Sequence, residues 1–116
     1  EAAEALTHVD FARDMALIAQ ALDDDGILGV ARYISDPQTR EAEFAVLVRS
    51  DLKGHGIGWM LMKRLVDVAR QHGIKKLSGL VLIENRNMLR FCQDLGFSIG
   101  RNPDDPMTMI ASLALA

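Results

Sequence analysis

EFAVLVRSDLKGHGIGWMLMKRLVDVARQHG, residues 43–73, decides how this chain is read. It opens with Glu43–Val48, a short apolar run rich in valine that reads as a strand. Asp51–Gly58 (DLKGHGIG) is a glycine-rich loop. Beyond it Ile57, Leu61, Leu65, Val68 and Ala69 fall at helical spacing, giving a helix with one apolar face. Arg70 and His72 sit in its last turn, and Gly73 is placed to end it. A glycine loop between a strand and a helix sets backbone N–H groups at the positive end of the helix dipole, an arrangement suited to a phosphate. The same glycines also serve a tight strand-to-helix turn, and spacing alone leaves both readings open. The known nucleotide loops do not fit. Trp59 stands where a Walker A loop needs its second glycine and also where a dinucleotide loop needs its third. Ser78 and Gly79 lie where the ribose-binding acid of a dinucleotide fold belongs.

Working outward, Met15–Leu22 and Ile27–Ile34 flank Asp23–Gly26 and read as a hairpin, closed off by Pro37. Glu1–His8 has helical composition and is expected to be the last turns of a helix. Lys76–Ile83 reads as a buried strand, and Asn87–Leu95 as a second helix stopped by Gly96. Phe97–Ile99 and Met107–Leu115 read as two final strands. The fold class is therefore α/β: a mixed sheet with flanking helices, in which residues 43–83 form a parallel, right-handed crossover.

At 116 residues the chain is one domain's worth of sequence. It begins at Glu1 rather than Met and is expected to be a piece of a longer chain. A formal charge of −3 argues against a broad nucleic-acid face. No apolar run reaches the roughly 18 residues of a membrane span, and no signal peptide is visible. A single cysteine precludes an internal disulfide framework, and the histidine and cysteine spacings match no metal motif, so no metal is expected.

VRSDLKGHGIGWMLMKRLVDVA resembles motif A of the GNAT (Gcn5-related) N-acetyltransferases, whose Gln/Arg-x-x-Gly-x-Gly/Ala segment holds the pyrophosphate of acetyl-CoA. The matching residues are Lys53, Gly54, His55, Gly56, Ile57 and Gly58, with Lys53 in place of the usual Gln or Arg. A second segment, Asn85–Phe97 (NRNMLRFCQDLGF), is similar to the family's Asn-x-x-Ala-x-x-Phe-Tyr-x-x-Leu-Gly-Phe pattern and agrees at Asn85, Phe91, Leu95, Gly96 and Phe97. From about Leu6 onward the chain most resembles the GNAT domain of bacterial Pat-type protein lysine acetyltransferases. That resemblance implies a GNAT fold without its first strand and helix, acetyl-CoA as co-substrate, and a cytoplasmic bacterial enzyme. It also implies a protein substrate with an exposed lysine, such as an acyl-CoA synthetase. Cofactor contacts are expected from the motif A residues, from Asn85, and from Val46, Leu47 and Val48. In the family this strand splays from its neighbour, so that a backbone amide near Val46 or Leu47 meets the thioester oxygen.

Acetyl transfer to an amine needs a base for the ammonium and a donor for the oxyanion. Glu43 is the candidate base; strand alternation sets it with Ala45 and Leu47 on one face, and Phe44, Val46 and Val48 on the other. In a partly dry cleft its pKa is expected to rise. A strand-end glutamate paired with Arg40 or left in solvent is the plainer alternative. Cys92 stands where many relatives carry an acidic Tyr, and reads either as a thiol donor or as a small core residue. His8, His55 and His72 are expected on the surface, and Trp59 in packing. Two rivals stay open: acetylation of a small amine, which an acidic pocket beside Glu43 favours, and an acetyl-CoA sensor without turnover. An unpaired sheet edge also makes self-association an expectation.

Overall fold

The computed structural model describes residues 4–10, 14–21, 26–49 and 56–115. In chain order these form β1 (Glu4–Asp10), β2 (Asp14–Ala21), β3 (Ile27–Ser35), β4 (Glu41–Val48), α1 (Ile57–Gln71), β5 (Lys76–Leu82), α2 (Arg86–Asp94), β6 (Ser98–Arg101) and β7 (Thr108–Ala114). The sheet has seven strands in the order β1-β2-β3-β4-β5-β7-β6. Every neighbouring pair is antiparallel except β4 and β5. That one parallel pair is the crossover expected from residues 43–83, with α1 as its connection.

One expectation is overturned. Glu4–Asp10 is a strand, not the end of a helix, and pairs with β2 from Glu4↔Ala21 to Asp10↔Met15. Ala, Glu and Leu favour a helix by only tenths of a kcal/mol each, and so short a helix is marginal. A seven-rung ladder to the next strand outweighs that preference. β1 thus forms one edge of the sheet.

Both helices cover the same face. Leu61, Leu65, Val68 and Ala69 of α1 are fully buried, and Ile57 nearly so, as the spacing predicts. They meet Ala31, Tyr33, Phe44, Leu77 and Val81 from the sheet, with Met88 and Cys92 from α2. At Gly29 an added Cβ would stand 2.9 Å from Leu61 and 3.3 Å from Ile57, so β3 lies close under α1. The helix ends are set by glycine: Gly73 (φ 75) and Gly96 (φ 98) take the left-handed conformation that closes α1 and α2. The other sheet face carries large exposed side chains, among them Ile34, Leu47, Leu80 and Leu82.

Candidate active site

The central feature is a fork in the sheet. β3 follows β4 along its whole length, from Ser35↔Ala42 to Gly29↔Val48. β5 joins β4 only at Glu41↔Lys76, Ala42↔Leu77 and Glu43↔Ser78, and then diverges, while it stays paired with β7 to Leu82↔Thr108. From Phe44 onward the side of β4 that faces β5 has no ladder partner among the described residues. Strand groups left in that state are open to an extended ligand, as at a sheet edge. Gly79 stands at the crotch: a Cβ there would lie 2.7 Å from the Phe44 carbonyl oxygen and 2.8 Å from its ring. The Phe44 ring is itself held edge-on against Phe97, with centroids 5.6 Å apart.

Alternation along β4 is as expected. Glu43, Ala45 and Leu47 are exposed on the open face, with Leu47 72% exposed, while Phe44 is buried and Val46 and Val48 are half-buried. Glu43 makes no ion pair with Arg40. The Arg40 guanidinium instead donates from Nε to the Gly73 carbonyl at 3.1 Å and from Nη2 to the His72 carbonyl at 2.6 Å. The carboxylate of Glu43 is left to face a cavity of about 740 Å³ at the β3–β4 turn. Asp36, Glu41 and Ser78 line that cavity too, beside the apolar walls of Ile34 and Ala42. Among the described residues no basic side chain lines it. Asp36 is partly committed, since its Oδ1 accepts from the backbone N–H groups of Gln38 (2.8 Å) and Thr39 (3.4 Å).

The second part of the site is the start of α1. Lys53, Gly54 and His55 lie outside the described residues. Gly56 is the helix N-cap at φ 84 and ψ 0, with no side chain capping the helix and no acid in its first turn. Met60 N–H is bonded back to Gly56 at 3.0 Å, so the amides ahead of it are beyond the helix's own ladder. Among the described residues a Cβ on Gly56 would meet nothing within 4 Å. Its left-handed backbone favours glycine there. Gly58 differs: a Cβ would come within 3.3 Å of Phe91, 3.5 Å of Met88 and 3.6 Å of Val48, so this glycine lets α1 approach α2 and β4. Ile57 buries its side chain in the core and leaves only its backbone to a ligand. Among the described residues these features fit a phosphate group: first-turn amides outside the helix ladder, no acid in the first turn and no side chain against Gly56.

Three residues of the second motif have structural work. Asn85 caps α2 by accepting from Met88 N–H at 3.2 Å. Phe91 meets Trp59 edge-on at 5.9 Å, so Trp59 packs between the helices as expected. Cys92 is fully buried, and burial pushes its thiol up to about 11. That environment makes it a core residue and a poor proton donor near neutral pH. His72 is exposed yet shares a 2.7 Å hydrogen bond between its Nδ1 and the Tyr33 hydroxyl. Asp36, Glu41, Ser78 and Gly79 were not singled out from the sequence as site residues. Two signals were present: Glu41 shares the face of Glu43 two positions on, and Ser78-Gly79 interrupts an apolar strand.

The site thus combines a strand fork with a glycine-started helix. The chain matches the Acetyltransferase (GNAT) family over residues 2–97 and belongs to that family of acyltransferases, whose members in general use acetyl-CoA as acyl donor. Acetyltransferase PA5475 of Pseudomonas aeruginosa is 34% identical over 112 residues, which cover 95% of this chain and 60% of that protein. The chain thus spans about 60% of the length of this relative. Among solved structures, the GNAT domain of S. lividans PAT superposes with a TM-score of 0.75 at 25% identity, covering 94% of this chain and 65% of that one. The spermidine N-acetyltransferase of Vibrio cholerae superposes at 0.78 with 16% identity, covering 90% of this chain and 66% of that one, a likeness of fold alone.

Proposed function

We propose that this chain transfers an acetyl group from acetyl-CoA to an amine, with Glu43 as general base and a protein lysine as the acceptor. The observation that carries the reading is the distance between the two halves of the site. Gly58 lies against Val48 at one end of β4, and Glu43 stands five residues back along the same strand. At about 3.3 Å per residue that is roughly 16 Å, the reach of an extended pantetheine arm. The pyrophosphate then rests on the amides at Lys53–Gly58, with Asn85 nearby. The arm runs along the unpaired side of β4 as a further strand would, bonded to Val46 and Val48. The thioester oxygen takes a backbone N–H near Val46 or Leu47, which stabilises the oxyanion. Glu43 accepts the proton of the acceptor ammonium, whose ordinary pKa of about 10.4 keeps it charged at neutrality.

The lysine reading is supported by the likeness to the S. lividans PAT domain over nearly the whole chain. An acyl-CoA synthetase as target and a cytoplasmic bacterial setting belong to the same proposal, as does this chain's being one domain of a longer protein. Among the described residues no helix is long and apolar enough to cross a membrane. Self-association through the edge formed by β1 is a further part of it. A second reading has an observation of its own: among the described residues the cavity beside Glu43 is lined by three carboxylates and no base, as a polyamine would require. The deciding experiment is calorimetric binding of acetyl-CoA followed by a thiol-release assay with a lysine peptide and with spermidine. Glu43→Gln is expected to leave acetyl-CoA affinity intact and to lower turnover about a hundredfold or more. Unchanged turnover rejects Glu43 as base. Binding without release from either amine turns the reading into that of a sensor.

A further inference from the structure

The geometry points to Ser78 as the residue that holds the acceptor nitrogen against Glu43. This rests on the acetyl-transfer reading and deepens it. Glu43↔Ser78 is the last rung before β4 and β5 part. Paired strands run about 4.8 Å apart with in-register side chains on one face, so the Glu43 and Ser78 side chains are neighbours across the rung. Both line the same cavity. Ser78 is half-buried, and its hydroxyl makes no hydrogen bond to another described residue. The rung has a fixed width, because Gly79 next to it brings β5 hard against the Phe44 carbonyl. A hydroxyl in this place is conspicuous on a face whose next positions along β5 are the exposed Leu80 and Leu82.

An alkylammonium has three N–H bonds to place. One proton passes to the Glu43 carboxylate, freeing the lone pair. A second N–H donates to the Ser78 oxygen, which turns that lone pair toward the fork, where the thioester carbonyl carbon is reached. The lone pair then forms the C–N bond, and the collapsing tetrahedral intermediate breaks the C–S bond with its electron pair going to sulfur. The nitrogen sheds two protons in all. One ends on the CoA sulfur and the other leaves to water, so that amide, CoA thiol and one proton are the products. Two contacts at one nitrogen give orientation as well as deprotonation, and orientation is worth a large part of such a barrier.

The test uses the whole chain, acetyl-CoA, and whichever of spermidine or a lysine peptide the unaltered protein acetylates. Ser78→Ala is expected to lower kcat/KM for the acceptor about tenfold to a hundredfold, the worth of a hydrogen bond to a charged group, with calorimetric acetyl-CoA affinity unchanged. Ser78→Thr, which keeps the hydroxyl, restores most of the loss. In a Glu43→Gln background the same Ser78→Ala change costs far less, because the two groups act on one nitrogen. Ser112→Ala, one strand further along the same register row, leaves the rate alone. Wild-type rates in Ser78→Ala, the same factor lost in both backgrounds, or lost acetyl-CoA binding would each overturn the assignment. Acetyl-CoA binding with no thiol release by the unaltered chain is a different failure: it removes the acetyl-transfer reading, and this assignment with it.

Discussion

Gly79→Ala is the sharpest probe of the fork. Gly79 is not among the left-handed glycines, so alanine suits its backbone and the cost is purely steric. The new methyl would lie 2.7 Å from the Phe44 oxygen and 2.8 Å from two carbons of its ring. Ordinary contacts begin near 3.5 Å, so β4 and β5 must separate by roughly 0.7 Å. The ring cannot swing aside freely, because Phe97 packs on its edge. Overpacking of this kind costs about 1–3 kcal/mol. For a domain of this length each kcal/mol is roughly 4 °C of Tm, so a fall of about 4–12 °C is expected by thermal circular dichroism. The separation also widens the Glu43↔Ser78 rung. A misplacement approaching 1 Å costs up to about a hundredfold in rate, so turnover at saturating acetyl-CoA falls with stability. Gly100→Ala is the control, since among the described residues a Cβ there meets nothing within 4 Å. Equal Tm and equal turnover for Gly79→Ala and the unaltered chain would refute the idea that this contact sets the fork.

Gly56→Ala forces a Cβ onto a backbone at φ 84, which costs about 1–2 kcal/mol. The methyl also stands at the start of α1, where the phosphates are proposed to bind, so weaker acetyl-CoA binding by calorimetry is expected as well. A lowered Tm with full affinity would detach Gly56 from the cofactor. Cys92→Ala is expected to lose about 1 kcal/mol to the small cavity and to keep near-normal turnover; a large loss of rate in folded protein would return the thiol to the mechanism. The raised Cys92 pKa adds a pH test. The unfolded thiol ionises near 9, whereas the folded one holds its proton to about 11. The unfolded state therefore binds fewer protons across that window, and stability falls as pH rises through it, by on the order of 2 kcal/mol. Denaturation midpoints from pH 8 to 11 should fall more steeply for the unaltered chain than for Cys92→Ala; parallel curves would contradict the assignment.

Most of the fold could be read from local pattern. The α1 residues Ile57, Leu61, Leu65, Val68 and Ala69 carry their own periodicity, and every one of them is buried. The hairpin at β2 and β3 announces itself through the turn cluster between two apolar runs. β1 did not, because its Ala, Glu and Leu composition speaks for a helix and only pairing with β2 decides otherwise. The phosphate end of the proposed site was legible as a glycine loop. Its acceptor end was not, since it depends on where a parallel register stops, and that is settled between Gly79 and Phe44 across 35 positions of chain. The acids of the cavity were equally hidden: Asp36 looks like an ordinary turn residue, and Glu41 only the start of a strand. The hydrogen bond from Tyr33 to His72 joins residues 39 apart, a partnership no local spacing announces.

Arg40 has a wider consequence. Its N–H donates to the Asp36 carbonyl, its own carbonyl accepts from Lys75 N–H, and its guanidinium grips the carbonyls of His72 and Gly73. One of these bonds closes the Asp36–Glu41 turn, and the other three rivet it to the joint between α1 and β5. The acidic wall is thereby a fixed jaw rather than a hinged flap. On the proposed acetyl-transfer reading, acceptors meet the side chains mounted on that jaw, so single exchanges at Asp36 or Glu41 are expected to retune preference while the frame that grips them stays put.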